Sequence, residues 1–218
     1  MNASTRIVYL VTTSVEDGWD EEYNRFYDEE HIPTLLKLPG YHAATRYRAI
    51  DAEPRYLTVW EIDSLDGWQS PAHEAALSTP WAQRIAPHRE FQPAFYEQIF
   101  PARGFLQGSA WGEPVGALLV NRIDVAPEHE ADFNAFFNQE HLAALCSVPG
   151  AIAARRFQAI RAEPKYLAML YLTSPEAASS PAVAQATDTP WAARVRPTYQ
   201  RRARGLYVPI GDRRTPDD

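Results

Sequence analysis

The hydrophobic pattern opens with a run rich in β-branched residues, Ile7 to Thr13, which is too short for a helix and is bounded by polar stretches; it predicts a strand. From Trp19 or Asp20 the period changes. Apolar side chains recur at Tyr23, Phe26, Tyr27, Leu35 and Leu38, the spacing of one helical face, and Pro39-Gly40 supplies a stop. Asp20, Glu21 and Glu22 sit where negative charge favours a helix start. Two strands are then predicted, Tyr41 to Ile50 and Arg55 to Ile62, turning at Asp51 to Pro54 as an antiparallel hairpin. Along the second, Tyr56, Thr58, Trp60 and Ile62 share one face, and Leu57, Val59 and Glu61 share the other. A helical region over Leu65 to Leu77, a further turn of helix from Pro80 to Ile85, and a strand over Phe91 to Phe100 complete the series. Pro93 marks that last strand as an edge or a bulge. The order is β-α-β-β-α-β, a ferredoxin-like unit.

The chain contains the pattern twice. A shift of 110 residues lays Phe133 to Leu172 on Tyr23 to Ile62 without a gap, with identity at Asn24/Asn134, Phe26/Phe136, Glu30/Glu140, His31/His141, Pro39-Gly40/Pro149-Gly150, Arg46/Arg156 and Glu53-Pro54/Glu163-Pro164. Thr79-Pro80-Trp81 returns as Thr189-Pro190-Trp191. The expected fold class is therefore α+β, with two tandem units at 1–100 and 117–210, a glycine- and proline-rich linker at 101–116, and a disordered tail at 211–218. A ferredoxin-like unit covers one face of its sheet with helices and leaves the other bare. Placing Tyr56, Trp60, Tyr166 and Leu170 on the bare faces predicts that the two units put those faces together as a pseudo-dimer, with a barrel-like interior and a ligand cavity between the sheets.

Composition narrows the function. The 218 residues are 45% hydrophobic, and 21 basic against 28 acidic residues give a net charge of −7, which argues against nucleic acid or an anionic membrane as partner. The arginines near the end (Arg194, Arg196, Arg201, Arg202, Arg204) read as a solvated helix face. One cysteine, Cys146, stands where the first copy has Leu36 and reads as a small buried hydrophobe. No apolar run reaches the roughly 18 residues of a membrane helix, and no secretory leader pattern opens the chain, so a soluble, cytoplasmic protein is expected. Phosphate-cradling glycine loops, dinucleotide fingerprints, serine elbows and metal-ligand spacings are missing, so neither cofactor nor metal is expected.

The candidate chemistry sits in the first helix of each copy. Glu30-His31 and Glu140-His141 fall inside the apolar stripe, where a charge must be hydrogen-bonded or open to a cavity. His31 and His141 are candidate acid/base catalysts, with structural hydrogen bonding as the blander and favoured alternative. Glu30 and Glu140 would support them, through backbone or through Arg46 and Arg156. Those arginines would hold either the glutamates or an anionic group of the substrate. Tyr47, Tyr56, Trp60 and His42 are candidate substrate contacts, with core packing as the alternative for the aromatic residues. His42, Trp60 and Glu61 become Ile152, Leu170 and Tyr171 in the second copy, which points to the first copy if there is one active site.

With Phe26-Tyr27-Asp28-Glu29-Glu30-His31-Ile32-Pro33 followed by Leu38-Pro39-Gly40, and Phe136-Phe137-Asn138-Gln139-Glu140-His141 followed by Val148-Pro149-Gly150, the chain resembles the dimeric α/β-barrel superfamily, in particular its EthD-like branch. Ala143 replaces Pro33 in the second copy. The resemblance implies a barrel of two ferredoxin-like units and relatives that include cofactor-free monooxygenases, cyclases, isomerases and haem-handling proteins. It carries His31, His141 and the cavity-facing Tyr and Trp residues over as site residues. Fold alone does not fix function. The expected function is cofactor-independent acid/base chemistry on an aromatic or hydrophobic carbonyl-type metabolite. The alternatives are a non-catalytic hydrophobic-ligand binder and a cofactor-free monooxygenase or haem-handling protein; a homodimer of the two-unit chain is a further expectation.

Overall fold

The computed structural model describes residues 6–50 and 53–218. The chain divides into two compact units, Tyr96–Pro209 and Thr5–Phe95 with Ile210–Asp218, here the C-terminal and N-terminal units.

In the N-terminal unit β1 (Ile7–Val15) leads to a helix built in three consecutive pieces: α1 (Asp20–Phe26), a π-helical turn (Tyr27–His31) and α2 (Ile32–Leu36). Gly40, at φ +84°, takes the left-handed conformation that ends it. Then come β2 (Tyr41–Ala49), β3 (Tyr56–Ile62), α3 (Pro71–Ala76), α4 (Pro80–Ile85) and β4 (Arg89–Phe100), within which the chain passes from one unit to the other. The strand order is β4-β1-β3-β2, and β3 pairs antiparallel with both β1 and β2. Asp51 and Ala52 of the expected hairpin turn lie outside the described residues.

The C-terminal unit repeats the order. β5 (Leu106–Gln107) and β6 (Ala117–Val125) precede α5 (Glu130–Phe136), a second π-helical turn (Phe137–His141) and α6 (Leu142–Ser147). β7 (Ala151–Arg161), β8 (Tyr166–Leu172), α7 (Pro181–Thr187), α8 (Pro190–Val195) and β9 (Tyr199–Pro209) follow, in strand order β9-β6-β8-β7-β5.

The sheet faces are the reverse of the expectation. Tyr56 and Trp60 point at their own helices, where they join Tyr23, Phe26, Tyr27 and Leu35 in the core; Tyr166 and Leu170 likewise pack with Phe133, Phe136 and Phe137. The other face is also buried, through Leu57, Val59 and Glu61 and through Leu167 and Met169. Alternation could not say which face the helices cover, because both are apolar.

Two segments expected to be irregular are tied down. Part of 101–116 is β5, paired with Ala153 and Ala154 of β7, and Gly116 N–H donates to Leu172 O at 2.9 Å. A Cβ on Gly116 would stand 2.0 Å from Thr173 O, so no other residue fits that approach. At the far end Arg214 bridges Ala44, with N–H···O distances of 2.9 and 2.8 Å, and Arg213 holds Glu61 in a fork at 3.0 and 3.1 Å. Residues 211–218 are thus part of the N-terminal unit, not a disordered tail.

Candidate functional site

In both units the π-helical turn ends on the histidine, and the glutamate before it is engaged elsewhere. Glu140 Oε1 accepts from Thr189 Oγ1 at 2.5 Å, and Thr79 Oγ1 donates to Glu30 in the same way. Each threonine is the N-cap of the following helix, accepting from Ala192 N–H at 3.0 Å and Ala82 N–H at 3.1 Å, with Pro at the first helical position. The tryptophan after that proline donates its indole N–H to an acidic residue of the first helix, Trp81 to Glu22 at 2.8 Å and Trp191 to Asp132 at 2.9 Å. The recurring Thr-Pro-Trp therefore fastens one helix to another through Glu30 or Glu140.

The arginines also have other partners than the glutamates. Arg46 donates to Asn24 Oδ1 at 2.5 Å and Asp28 Oδ1 at 2.8 Å, over the rings of Tyr23, Tyr27 and Tyr56. Arg156 donates to Asn138 Oδ1 at 2.7 Å and Asn134 Oδ1 at 2.9 Å, over Phe133, Phe137 and Tyr166. Burial lowers Arg156 to a pKa of about 10, still charged at neutral pH. These contacts tie strand to helix. Tyr56 joins them by donating to Asp20 Oδ1 at 2.6 Å. Tyr47, opposite Leu57 in the ladder, is on the face away from the helices, and His42 Nε2 lies 2.7 Å from Asp63 Oδ1.

The two histidines part company. His31 is packed among Phe26, Tyr27 and Trp60, with ring centroids at 5.2, 4.5 and 6.0 Å, and its Nδ1 has no hydrogen-bond partner among the described residues. Burial, and after it the charge of Arg89, lower its pKa to about 3. His141 rests on Phe136 and Phe137 at 5.0 and 4.8 Å but opens onto a cavity of about 340 Å³. Burial, then Arg196, Arg156 and Arg202, lower its pKa to about 4.

This cavity lies between the helices and the sheet of the C-terminal unit, not on the face away from the helices. Leu119, Phe137, Leu142, Leu145 and Leu170 make its apolar wall. The reason it exists here is visible by setting the repeats side by side. Tyr9, Tyr41, Trp60, Trp68 and His73 fill the corresponding space of the N-terminal unit, with Tyr9 stacked on Phe95 at 4.4 Å, Tyr41 edge-on to Trp60 at 5.5 Å and Trp68 edge-on to Phe95 at 4.8 Å. At the same offset the C-terminal unit has Leu119, Ala151, Leu170, Ala178 and Val183. Four aromatic rings and an imidazole become small aliphatic groups, and room appears beside the histidine that remains. Trp60 and Tyr56 are thus core of the other unit rather than cavity lining. That exchange of large for small was legible in the repeat; of the polar lining residues, Arg196, Arg202 and Arg204 stood out only as part of an arginine cluster read as a solvated helix face, and Asn121, Thr187 and Tyr199 carried no signal of their own.

Among the described residues no group of three or more His, Cys, Asp or Glu could hold a metal ion, and no helix is long and apolar enough to cross a membrane. The space by His141 is near the lower end of the range of roughly 300–1,000 Å³ for small-molecule pockets, room for two or three fused rings.

No protein-family model and no curated protein matches the chain. Solved structures do. An anthrone oxidase-like protein is 13% identical, with 99% of this chain and 95% of that one covered at a TM-score of 0.71. A proposed monooxygenase from Fusobacterium nucleatum is 10% identical, with 99% and 96% covered at 0.63. A point mutant of the chlorite dismutase of Candidatus Nitrospira defluvii is 12% identical, with 95% and 92% covered at 0.66. These likenesses show the fold that the chain shares with those proteins.

Proposed function

We propose that the chain, read as two tandem ferredoxin-like units of the EthD-like kind, is a small cofactor-independent enzyme. It takes an aromatic carbonyl-type metabolite into the cavity of its C-terminal unit and moves a proton with His141. The observation that carries this reading is the apolar cavity onto which His141, and not His31, opens. A neutral imidazole at pH 7 accepts a proton from a carbon next to a carbonyl, or from a ring hydroxyl, and returns it to another atom.

Anthrone is the first substrate to test, since a structural neighbour is described as anthrone oxidase-like. The protein should speed exchange of the anthrone ring CH₂ protons for deuterium, followed by NMR in D₂O. His141→Asn, with its fold checked by circular dichroism, should lose at least about 100-fold of that acceleration, in the range typical of a removed general base. His31→Asn should keep it. Full activity in His141→Asn would overturn the assignment.

A second reading, binding without turnover, is favoured by the low basicity of His141, whose pKa of about 4 makes it a weak base while the cavity is empty. Anthrone that binds but exchanges no faster than in buffer decides for that reading. Oxygen uptake alongside exchange would extend the first reading to oxidation.

A further inference from the structure

The mouth of the His141 cavity has a feature that proton transfer does not require. Arg196 follows α8, and Arg202 and Arg204 alternate along β9, so both strand residues point to the helical side together. Their cross-strand partners in β6 are Ile123 and the cavity-lining Asn121. The five arginines that read as one solvated face divide into two sets. Arg194 and Arg201 have carboxylate partners, Asp132 at 2.9 Å and Asp124 at 2.7 Å. Among the described residues Arg202 donates to the neutral Asn121 Oδ1 at 3.1 Å, and Arg196 to the backbone oxygen of Thr187 at 2.5 Å. No ion pair joins Arg196, Arg202 or Arg204 to a described residue, and no Asp or Glu lines the cavity.

Arg196, Arg202 and Arg204 are exposed, and with no carboxylate among the lining residues they give the cavity mouth a positive potential that favours an anion. At the 110-residue offset Arg196, Arg202 and Arg204 become Ala86, Gln92 and Ala94, and the one arginine the N-terminal unit has in this region, Arg89, stands where the C-terminal unit has Tyr199 and donates to Tyr27 Oη at 3.2 Å. Room for a ring and these three arginines thus go together in one unit.

We propose that the ligand of this cavity is an organic anion. Its fused-ring or other flat apolar body lies along Leu119, Leu145 and Leu170 beside His141, and a carboxylate or ionised ring hydroxyl is held at the mouth by Arg196, Arg202 and Arg204. A guanidinium pairs with a carboxylate in a fork, and charge-assisted bonds of this kind are the strong ones. The proposal rests on the reading that the cavity by His141 is the working site, and it adds the charge class of what enters.

The test uses two probes of nearly equal shape, 2-naphthoate and 2-naphthamide, titrated into the full chain at about pH 7.5 by calorimetry. Naphthoate should bind at least tenfold more tightly, and its advantage should shrink as salt is raised. Arg202→Gln and Arg204→Gln, both at exposed positions, should each weaken naphthoate about tenfold or more and leave naphthamide unchanged, since a charged hydrogen bond is worth about one to two decades of affinity. Leu170→Trp, which restores the side chain of the N-terminal repeat, should block both probes.

Equal affinity for the two probes, both lost in Leu170→Trp, would overturn the anion while leaving the cavity as the site. Binding of naphthoate that survives Leu170→Trp would place it elsewhere and overturn both. Failure of both probes to bind at millimolar concentration would do the same.

Discussion

One residue type, histidine, ends the same π-helical turn twice and meets two surroundings. His31 is sealed among rings, and charging it would strand a cation with an unpaired Nδ1. Its folded pKa of about 3, and that of about 4 for His141, lie below the ordinary value of 6.5. The unfolded chain therefore binds more protons than the folded one between those limits, and stability rises with pH there. It is fully present above about pH 6.5 and is lost as pH falls towards 4 and then 3. Urea midpoints should fall from about pH 7.5 to about pH 5, and His31→Phe should remove a large part of that fall. An equal fall in the variant would show that His31 is not the group responsible. Arg156 makes the opposite case, a charge kept in the core by two asparagine oxygens and three rings. Arg156→Lys keeps the charge but cannot span both oxygens in a plane, and should cost about 2–3 kcal/mol in urea unfolding.

At the scale of elements, the first helix of each unit shows what a periodic reading can and cannot find. Its start, its apolar stripe and its Pro-Gly stop were all legible at about 3.6 residues per turn. Glu30-His31 looked out of place because that ruler was laid across a turn holding one more residue; such turns recur at functional sites. No local residue preference announces one. The sequence offered the glutamates backbone or an arginine as partner, whereas the structure pairs them with hydroxyls 49 positions away. The staple predicts coupling. Thr189→Val removes both the N-cap of α8 and the partner of Glu140, so it should cost about 1–2 kcal/mol, at the upper end for a cap. A double-mutant cycle with Glu140→Gln should give a coupling above about 0.5 kcal/mol. Additive losses would mean the two groups act independently.

For the whole molecule, the repeat made the strand order of each unit readable, since β-α-β-β-α-β with tight hairpins leaves few arrangements. Which face the helices cover was not readable, because Leu57 and Val59 are as apolar as Tyr56 and Trp60. The candidate site was half legible: the histidine stood out, but the first copy was favoured for its aromatic residues, and in the structure those residues fill the space that is a cavity in the second copy. Leu170→Trp makes the same point in reverse, as a change expected to fill that cavity.

The N-terminal unit is discontinuous: Ile210–Asp218 belongs to it, although Tyr96–Pro209 comes between. Arg213 and Arg214 supply contacts to Glu61 and to the backbone of Asp28 and Ala44. Deleting 211–218 should speed amide exchange in β2 and α1 and leave naphthoate binding unchanged; unchanged exchange would show that the segment adds nothing. On the ribosome the order of synthesis then matters. The unit that emerges first is the one that must wait, since its last arginines are translated only after the whole cavity-bearing unit has been made.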